Sequence, residues 1–207
     1  MLPRIDARCG GAGTRVRQAA GFQVDAMLGR LQPARQVASP NHDERPAGVQ
    51  PDLIILHGIS LPPGEYGGPW IDRLFRNELP PQAHPYFAQV AQLRVSSHLL
   101  IRRDGEAVQY VDFNRRAWHA GRSSFQGRSG CNDFSIGIEL EGSDEVPYTG
   151  PQYVNLAAVV RALCEAYRSL HPRRLVGHSD VAPGRKTDPG PAFDWLRIRA
   201  LIDQQFA

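Results

Sequence analysis

The chain has 207 residues, of which 42% are hydrophobic and 22% are charged. These proportions are typical of a globular protein of one domain, and no apolar run approaches the ~20 residues of a membrane-spanning helix, which excludes a membrane-embedded protein. The net charge of +3 comes from the first 37 residues, which hold six arginines and two aspartates, so the remainder has no basic excess. We therefore expect no nucleic-acid partner.

The N-terminal region is rich in Arg, Gly and Ala and shows little hydrophobic periodicity. We predict a basic, disordered leader over residues 1–26 and a single domain over residues 27–207, starting at Met27. Leu53 to Leu56 form a short apolar run typical of a buried strand, and His57 directly follows it.

The middle of the chain predicts two short helices, a β-hairpin and an amphipathic strand. The helices run from Pro69 to Phe75 and from Pro85 to Leu93. The hairpin joins residues 97–103 to residues 107–111 through the turn dipeptide Asp104-Gly105. The strand covers residues 134–141. One of its faces is apolar, and the other carries small or acidic residues that we expect either to line a functional site or to contact water. The two faces are Phe134, Ile136, Ile138 and Leu140, and Ser135, Gly137, Glu139 and Glu141.

The C-terminal part predicts a long helix, a short strand and a final helix. Thr149 is a good N-cap for the long helix, in which apolar residues, among them Cys164, recur at helical spacing. The strand at Leu175-Val176 ends at Gly177-His178, and the last amphipathic helix runs from about residue 193 to residue 206.

Two histidines, His57 and His178, occupy matching positions after short apolar strands. Each could be an ordinary buried histidine, but the matching pair favours a site, because strand ends line the sites of α/β proteins. Catalytic zinc has three protein ligands and an open position, and Asp188, in a proline-rich loop, is the best third candidate. The alternative for Asp188-Pro189 is a simple turn.

Lys186 is the only lysine, against 23 arginines. An ammonium suits a small developing oxyanion better than a planar guanidinium does, which favours a catalytic role for Lys186. Glu139 and Glu141 share a strand face, and either could act as a general base or be a solvent-facing glutamate. Glu139, flanked by Ile138 and Leu140, is the better candidate for a buried base.

The cysteines indicate a reducing compartment. Cys9, Cys131 and Cys164 are widely spaced and form no Cys-x-x-Cys pair, so neither a disulfide framework nor a thiolate zinc finger is expected. No apolar secretory segment follows the N-terminal arginines. We expect a cytoplasmic protein.

Six segments, in this order, resemble the AmpD family of 1,6-anhydro-N-acetylmuramoyl-L-alanine amidases, from about residue 28 to residue 199. They are LHGISLPPGEYGG at 56–68, HPYF at 84–87, RVSSH at 94–98, RAWHAG at 116–121, CNDFSIGIELEG at 131–142 and RKTDPG at 185–190. The resemblance implies an α/β fold with a central mixed β-sheet and flanking helices, shared with phage amidase-type lysozymes and peptidoglycan recognition proteins.

The resemblance also implies a function. Zn²⁺ would be held by His57, His178 and Asp188, with Glu139 and Lys186 in catalytic roles. The family hydrolyses the amide between the lactyl group of anhydro-N-acetylmuramic acid and L-alanine of the stem peptide, in cytoplasmic muropeptide recycling that limits β-lactamase induction. The partner expected is thus a small anhydro-muropeptide, bound by a monomer.

Three residues are expected to bind the substrate: Arg94, whose guanidinium suits a stem-peptide carboxylate, Trp118 and Tyr86. The sequence departs from the family pattern at Gly58, where Asn is usual, and at Gly130, where some members have Arg. The rival hypothesis is a non-catalytic muropeptide-binding module on the same fold, which would be expected to lack a metal ligand or the base.

Overall fold

The computed structural model describes residues 21–206. Its centre is a six-stranded mixed sheet with strand order β12-β5-β11-β6-β7-β3. These strands are β3 (Arg35–Gln36), β5 (Leu53–Ile59), β6 (Leu99–Ile101), β7 (Ala107–Gln109), β11 (Ser135–Glu141) and β12 (Leu175–Gly177). Only β6 and β7 pair antiparallel, and the other neighbours are parallel, so the predicted mixed sheet is confirmed.

Within residues 21–206, five helices and three small two-stranded sheets surround the central sheet. The helices are α1 (Trp70–Phe75), α2 (Phe87–Val90), α3 (Gly150–Ala166), α4 (His178–Val181) and α5 (Trp195–Gln205). The small sheets pair β1 (Gln23–Asp25) with β2 (Arg30–Gln32), β4 (His42–Asp43) with β8 (Arg116–Ala117), and β9 (Ser124–Phe125) with β10 (Arg128–Ser129). A 3-10 turn spans Cys131–Asp133. No helix within residues 21–206 is long and apolar enough to cross a bilayer.

Strand β11 is buried on both faces, as parallel strands in the middle of a sheet generally are. Its apolar face, with Ile136, Ile138 and Leu140, packs in the core that also contains α3 and α5. The other face carries Glu139, which lies opposite His57 of β5 in the parallel register. The alternation in the sequence therefore places the polar side chains of both strands on the face away from α3.

Helix α3 begins where the sequence predicts. Thr149 accepts a hydrogen bond from the backbone of Gln152, whose side chain accepts one from the backbone of Thr149, and this capping box satisfies two free backbone donors. The Asp104-Gly105 hairpin is also observed, between β6 and β7. Strand β5 continues past the predicted end to Ile59, because its pairing with β11 extends that far, so His57 lies within the strand.

The predicted leader boundary at residue 26 differs from the structure. Gln23–Asp25 form β1, which pairs with β2, and Phe22 is only 3% exposed in the core beside α3. Met27 lies in the turn of this hairpin and is exposed. Residues 21–26 thus belong to the fold because Phe22 has a buried position, whereas the rest of the predicted leader, residues 1–20, lies outside the described residues.

Candidate metal centre and active-site cleft

Three side chains far apart in sequence converge at one edge of the sheet. His57 comes from β5, and His178 follows the neighbouring parallel strand β12 at the start of α4. Asp188 comes from the following loop, where its carbonyl accepts a hydrogen bond from the backbone of Ser179. Parallel strands end at the same edge, which brings the two histidines together.

The three donor atoms form a compact triangle. His57 Nδ1 lies 2.9 Å from His178 Nδ1 and 3.2 Å from Asp188 Oδ2, and His178 Nδ1 lies 3.0 Å from the same oxygen. A tetrahedral ion with bonds of about 2.0–2.1 Å separates its ligand atoms by roughly 3.3 Å, so the triangle has close to the size that such an ion needs.

The backbone contact of His178 leaves Nδ1 as the nitrogen that faces the cluster. Its Nε2 lies 3.2 Å from the carbonyl oxygen of Ala120, which can only accept, so Nε2 donates there. Two imidazole nitrogens and one carboxylate oxygen are a donor set that zinc accepts. The three residues can therefore hold a metal ion.

Burial and their mutual contacts determine the protonation of His57 and Asp188. Burial lowers the pKa of His57 to about 4, and it is the largest effect there, so His57 is neutral at physiological pH. Burial alone would raise the pKa of Asp188, but its contacts with His178 and His57 outweigh this and hold that pKa well below its usual value. A neutral imidazole and an ionised carboxylate are the forms that bind metals.

Glu139 is the buried carboxyl group beside this triangle. It is 8% exposed, and its Oε2 has no hydrogen-bond partner among the described residues. Burial raises the pKa of Glu139 well above its usual value, the negative charge of Asp188 raises it further, and the positive charge of Lys186 opposes both. A carboxyl group without a partner and with a raised pKa has the properties of a general base or acid.

Glu141, the alternative base, is instead held by hydrogen bonds and an ion pair. It accepts hydrogen bonds from the backbone of Gly67 (2.6 Å) and Arg103 (3.2 Å), and it forms an ion pair with Arg102 at 3.3 Å. Both glutamates share a strand face, as the sequence predicts, but only Glu139 lines the cleft described next.

An open cleft of about 460 Å³ extends from the triangle. Glu139 and Lys186 line it, as do the predicted substrate-binding residues Trp118 and Tyr86. Lys186 is exposed at its rim, and no arginine is among the described residues that line the cleft. The cleft is also lined by apolar residues: Leu61, Pro63, Leu74, Phe75, Val90, Leu93 and Val95.

Arg94 does not line the cleft. Its side chain is exposed, and its guanidinium lies 3.4 Å from the carbonyl of Ala91 and 3.5 Å from that of Leu93. The neighbours Leu93 and Val95 point to the cleft instead, so the alternation along this segment directs Arg94 away from it.

Gly58 leaves room for Tyr148. A Cβ at residue 58 would collide with the Tyr148 hydroxyl, which donates a hydrogen bond to the carbonyl of Pro189 at 3.0 Å. The departure from the family pattern at this residue therefore coincides with a close approach of the ligand loop to β5. Gly130, the other departure, has a positive φ of 71° beside Asp133.

His119 also lines the cleft, and its Nδ1 lies 2.9 Å from His57 Nε2. The segment 117–121 offers no periodicity that would indicate this contact, because it depends on how the loop folds over β11. A mixed sheet with two imidazoles, a carboxylate and a buried glutamate beside an open cleft is the arrangement expected of a metal-dependent hydrolase.

Comparisons with known proteins identify the family. Residues 47–191 match the family model of N-acetylmuramoyl-L-alanine amidases. The chain is 60% identical over 177 residues to the 1,6-anhydro-N-acetylmuramyl-L-alanine amidase AmpD of Escherichia coli K12, covering 86% of this chain and 96% of that protein. The chain therefore belongs to the N-acetylmuramoyl-L-alanine amidase family, a family of amide hydrolases.

Solved structures of related amidases have the same fold. The crystal structure of a selenomethionine AmpD derivative superposes with a TM-score of 0.82 at 60% identity, covering 84% of this chain and 97% of that one. The E. coli amidase AmiD, in complex with anhydro-N-acetylmuramic acid-L-Ala-D-γ-Glu-L-Lys, gives a TM-score of 0.53 at 25% identity, covering 87% and 65% of the two chains. These neighbours confirm the predicted fold class.

Proposed function

We propose that this protein is a zinc amidase that hydrolyses the bond between the lactyl group of 1,6-anhydro-N-acetylmuramic acid and L-alanine of the stem peptide, in muropeptide recycling. The observation that carries the proposal is the triangle of His57, His178 and Asp188 beside the partnerless carboxyl group of Glu139. The relatives named for this reaction, and the AmiD complex with such a substrate, support the same substrate class.

Zinc bound by His57, His178 and Asp188 would polarise the scissile carbonyl and make a coordinated water more acidic. Glu139 takes the proton of the attacking water, and its raised pKa lets it hold that proton for delivery to the leaving amine. Lys186, at the cleft rim, stabilises the negative charge that develops on the carbonyl oxygen.

Trp118 and Tyr86, on the cleft wall, are proposed to contact the substrate. The exposed guanidinium of Arg94 is free of acidic partners among the described residues, so a stem peptide that extends beyond the cleft could offer it a carboxylate. Alanine at Arg94 should then raise KM for substrates that carry this carboxylate and leave kcat unchanged. If the alanine variant and the parent have equal kinetics on all substrates, Arg94 does not bind the substrate.

We further propose that the enzyme is a cytoplasmic monomer. Cys131 and Cys164 are free thiols, as is usual in a reducing compartment. Sedimentation would test the monomer, and fractionation of cells would test the location.

The rival hypothesis, a muropeptide-binding module without catalysis, has no observation that favours it. Such a module would be expected to lack at least one of the five groups, but all five are present and line one cleft: His57, His178, Asp188, Glu139 and Lys186. Binding of a muropeptide without hydrolysis by the zinc-loaded protein would support this rival.

The proposal is tested by metal analysis and product analysis on the same preparation. We expect about one zinc per chain, and release of a stem peptide with a free L-alanine amine from anhydro-N-acetylmuramyl-tripeptide. His178→Ala should lose both zinc and activity, whereas His171→Ala, which changes an exposed histidine, should keep both. Stoichiometric zinc in His178→Ala would refute the ligand set. Intact sacculus and the non-anhydro muropeptide, as parallel substrates, would show whether the anhydro sugar is required.

A further inference from the structure

His119 connects the ligand His57 to the protein interior through a chain of polar contacts. His57 Nε2 lies 2.9 Å from His119 Nδ1, and His119 Nε2 lies 3.3 Å from the hydroxyl of Ser135. Ser135 Oγ in turn lies 2.6 Å from the carbonyl oxygen of Cys131. This series of hydrogen bonds thus ends at a backbone acceptor, which determines which group donates at each step.

The direction follows from counting protons. The carbonyl of Cys131 can only accept, so the single hydroxyl proton of Ser135 is used there, and Ser135 Oγ can only accept from His119. The proton of the neutral His119 ring is therefore on Nε2, and its Nδ1 is a lone pair that must accept. His57 then donates from Nε2, which leaves the lone pair of His57 Nδ1 facing His178 and Asp188.

The ring of His119 is held in place by its surroundings. It packs over Gly137 of β11, where a Cβ would come within 2.5–2.8 Å of the ring atoms, so residue 137 must lack a side chain. The backbone amides of His119 and Ala120 both donate to Asn132 Oδ1, at 3.2 and 2.8 Å. The rings of His119 and His57 meet edge to face at an interplanar angle of 87°.

The same two-residue segment also orients the second histidine ligand. The carbonyl of Ala120 is the acceptor for His178 Nε2 at 3.2 Å. Residues 119 and 120 thus contact the outward nitrogen of both imidazoles, one through a side chain and the other through the backbone.

We propose that His119 is a positioning residue, which accepts the His57 Nε2 proton and thereby fixes His57 as an Nδ1 ligand of the metal. The inference rests on the proposed function, because it assumes that His57, His178 and Asp188 hold zinc. Partners of this kind set the orientation and basicity of a ligating histidine, and their loss typically weakens metal binding about 10- to 100-fold.

The test compares two substitutions of nearly equal shape. His119→Asn keeps an acceptor oxygen at the position of Nδ1, and His119→Leu has the same branching without an acceptor. We expect the zinc Kd, measured by chelator competition, to rise about 10- to 100-fold in His119→Leu and to change less than about fivefold in His119→Asn. Parental zinc affinity in His119→Leu, or equal losses in both variants, would overturn the proposal.

A second measurement reads the tautomer directly. In ¹⁵N spectra of the zinc-loaded parent, His57 should show a protonated Nε2 and a metal-bound Nδ1. Ser135→Ala removes the group that keeps the His119 proton on Nε2, so we expect a mixed His119 tautomer and a smaller loss of zinc affinity. If His119→Leu fails to fold, as judged by circular dichroism, Ser135→Ala decides alone: unchanged tautomers and zinc affinity would refute the inference. A parent that binds no zinc would instead refute the proposed function.

Discussion

Glu139 lies directly opposite His57 across two neighbouring parallel strands, so the proposed base and the first candidate metal ligand are adjacent on the same face of the sheet. In the proposed function, one strand supplies the group that moves a proton and the next strand supplies a group that holds the metal. The spacing between them is set by backbone hydrogen bonds, which vary little, and not by a flexible loop.

Removing the base should leave the metal site intact. Glu139→Ala is expected to retain stoichiometric zinc and lose about 10²- to 10⁴-fold in kcat, since it removes the group that takes the proton from the attacking water. Metal analysis together with steady-state kinetics on the anhydro-muropeptide checks this. A variant with near-parental kcat would show that another group is the base.

Glu141→Ala should act on the fold and not on the chemistry. Glu141 is 2% exposed, and its loss removes one of the three carboxylate partners of Arg102 and the acceptor of the Gly67 and Arg103 backbone amides, at a cost of about 1–3 kcal/mol. We expect a markedly lower urea midpoint but an essentially unchanged kcat per folded molecule. Loss of kcat in a stably folded Glu141→Ala would reverse the two assignments.

Replacing Glu139 by Gln should stabilise the metal-free protein. The folded state binds the Glu139 proton more tightly than the unfolded state, because its pKa is raised, so this group destabilises the fold progressively as pH rises above 4.5. Glu139→Gln lacks this cost. The Tm should be close to the parent's near pH 4 and higher by about 2–4 °C near pH 7.5 if the difference reaches roughly 1 kcal/mol. A lower Tm at pH 7.5 would contradict the assignment.

Lys186 should be important for kcat and not for folding. Lys186→Ala is expected to keep zinc and melt within a few degrees of the parent, because the side chain is exposed, while kcat falls. Lys186→Arg keeps the charge but replaces the compact ammonium by a broad fork, so it should remain impaired. Near-parental turnover in Lys186→Arg would mean that only a general positive potential is needed.

The N-terminal boundary can be tested with two shortened chains. A chain starting at Gly21 keeps β1 and the buried Phe22 and should fold as the full chain does. A chain starting at Met27 loses both, and since truncation of a buried phenylalanine alone costs about 3–5 kcal/mol, its Tm should fall clearly. Equal stability of the two chains would instead support the boundary at residue 26 that the sequence predicts.

The sequence by itself determined the local elements and the chemical groups. Thr149 and Gln152 form their capping box within one helical turn, and the alternation over residues 135–141 needs only the two-residue period of a strand. The unusual residues, the single lysine Lys186 and the two histidines that follow apolar runs, could likewise be singled out from the sequence. Such features depend on neighbours in the chain, so periodicity reveals them.

Only the tertiary structure decided which of these groups meet. The strand order brings His57 beside His178, 121 residues away, and places Glu139, not Glu141, at the cleft. Phe22 belongs to the fold because a helix far away in the sequence covers it. Arg94 points away from the cleft because its neighbours Leu93 and Val95 line the cleft. The contact between His119 and His57 likewise depends on a loop packed over Gly137. Contacts of this kind are set by long-range packing and by the register between strands, and local patterns in the sequence do not encode either.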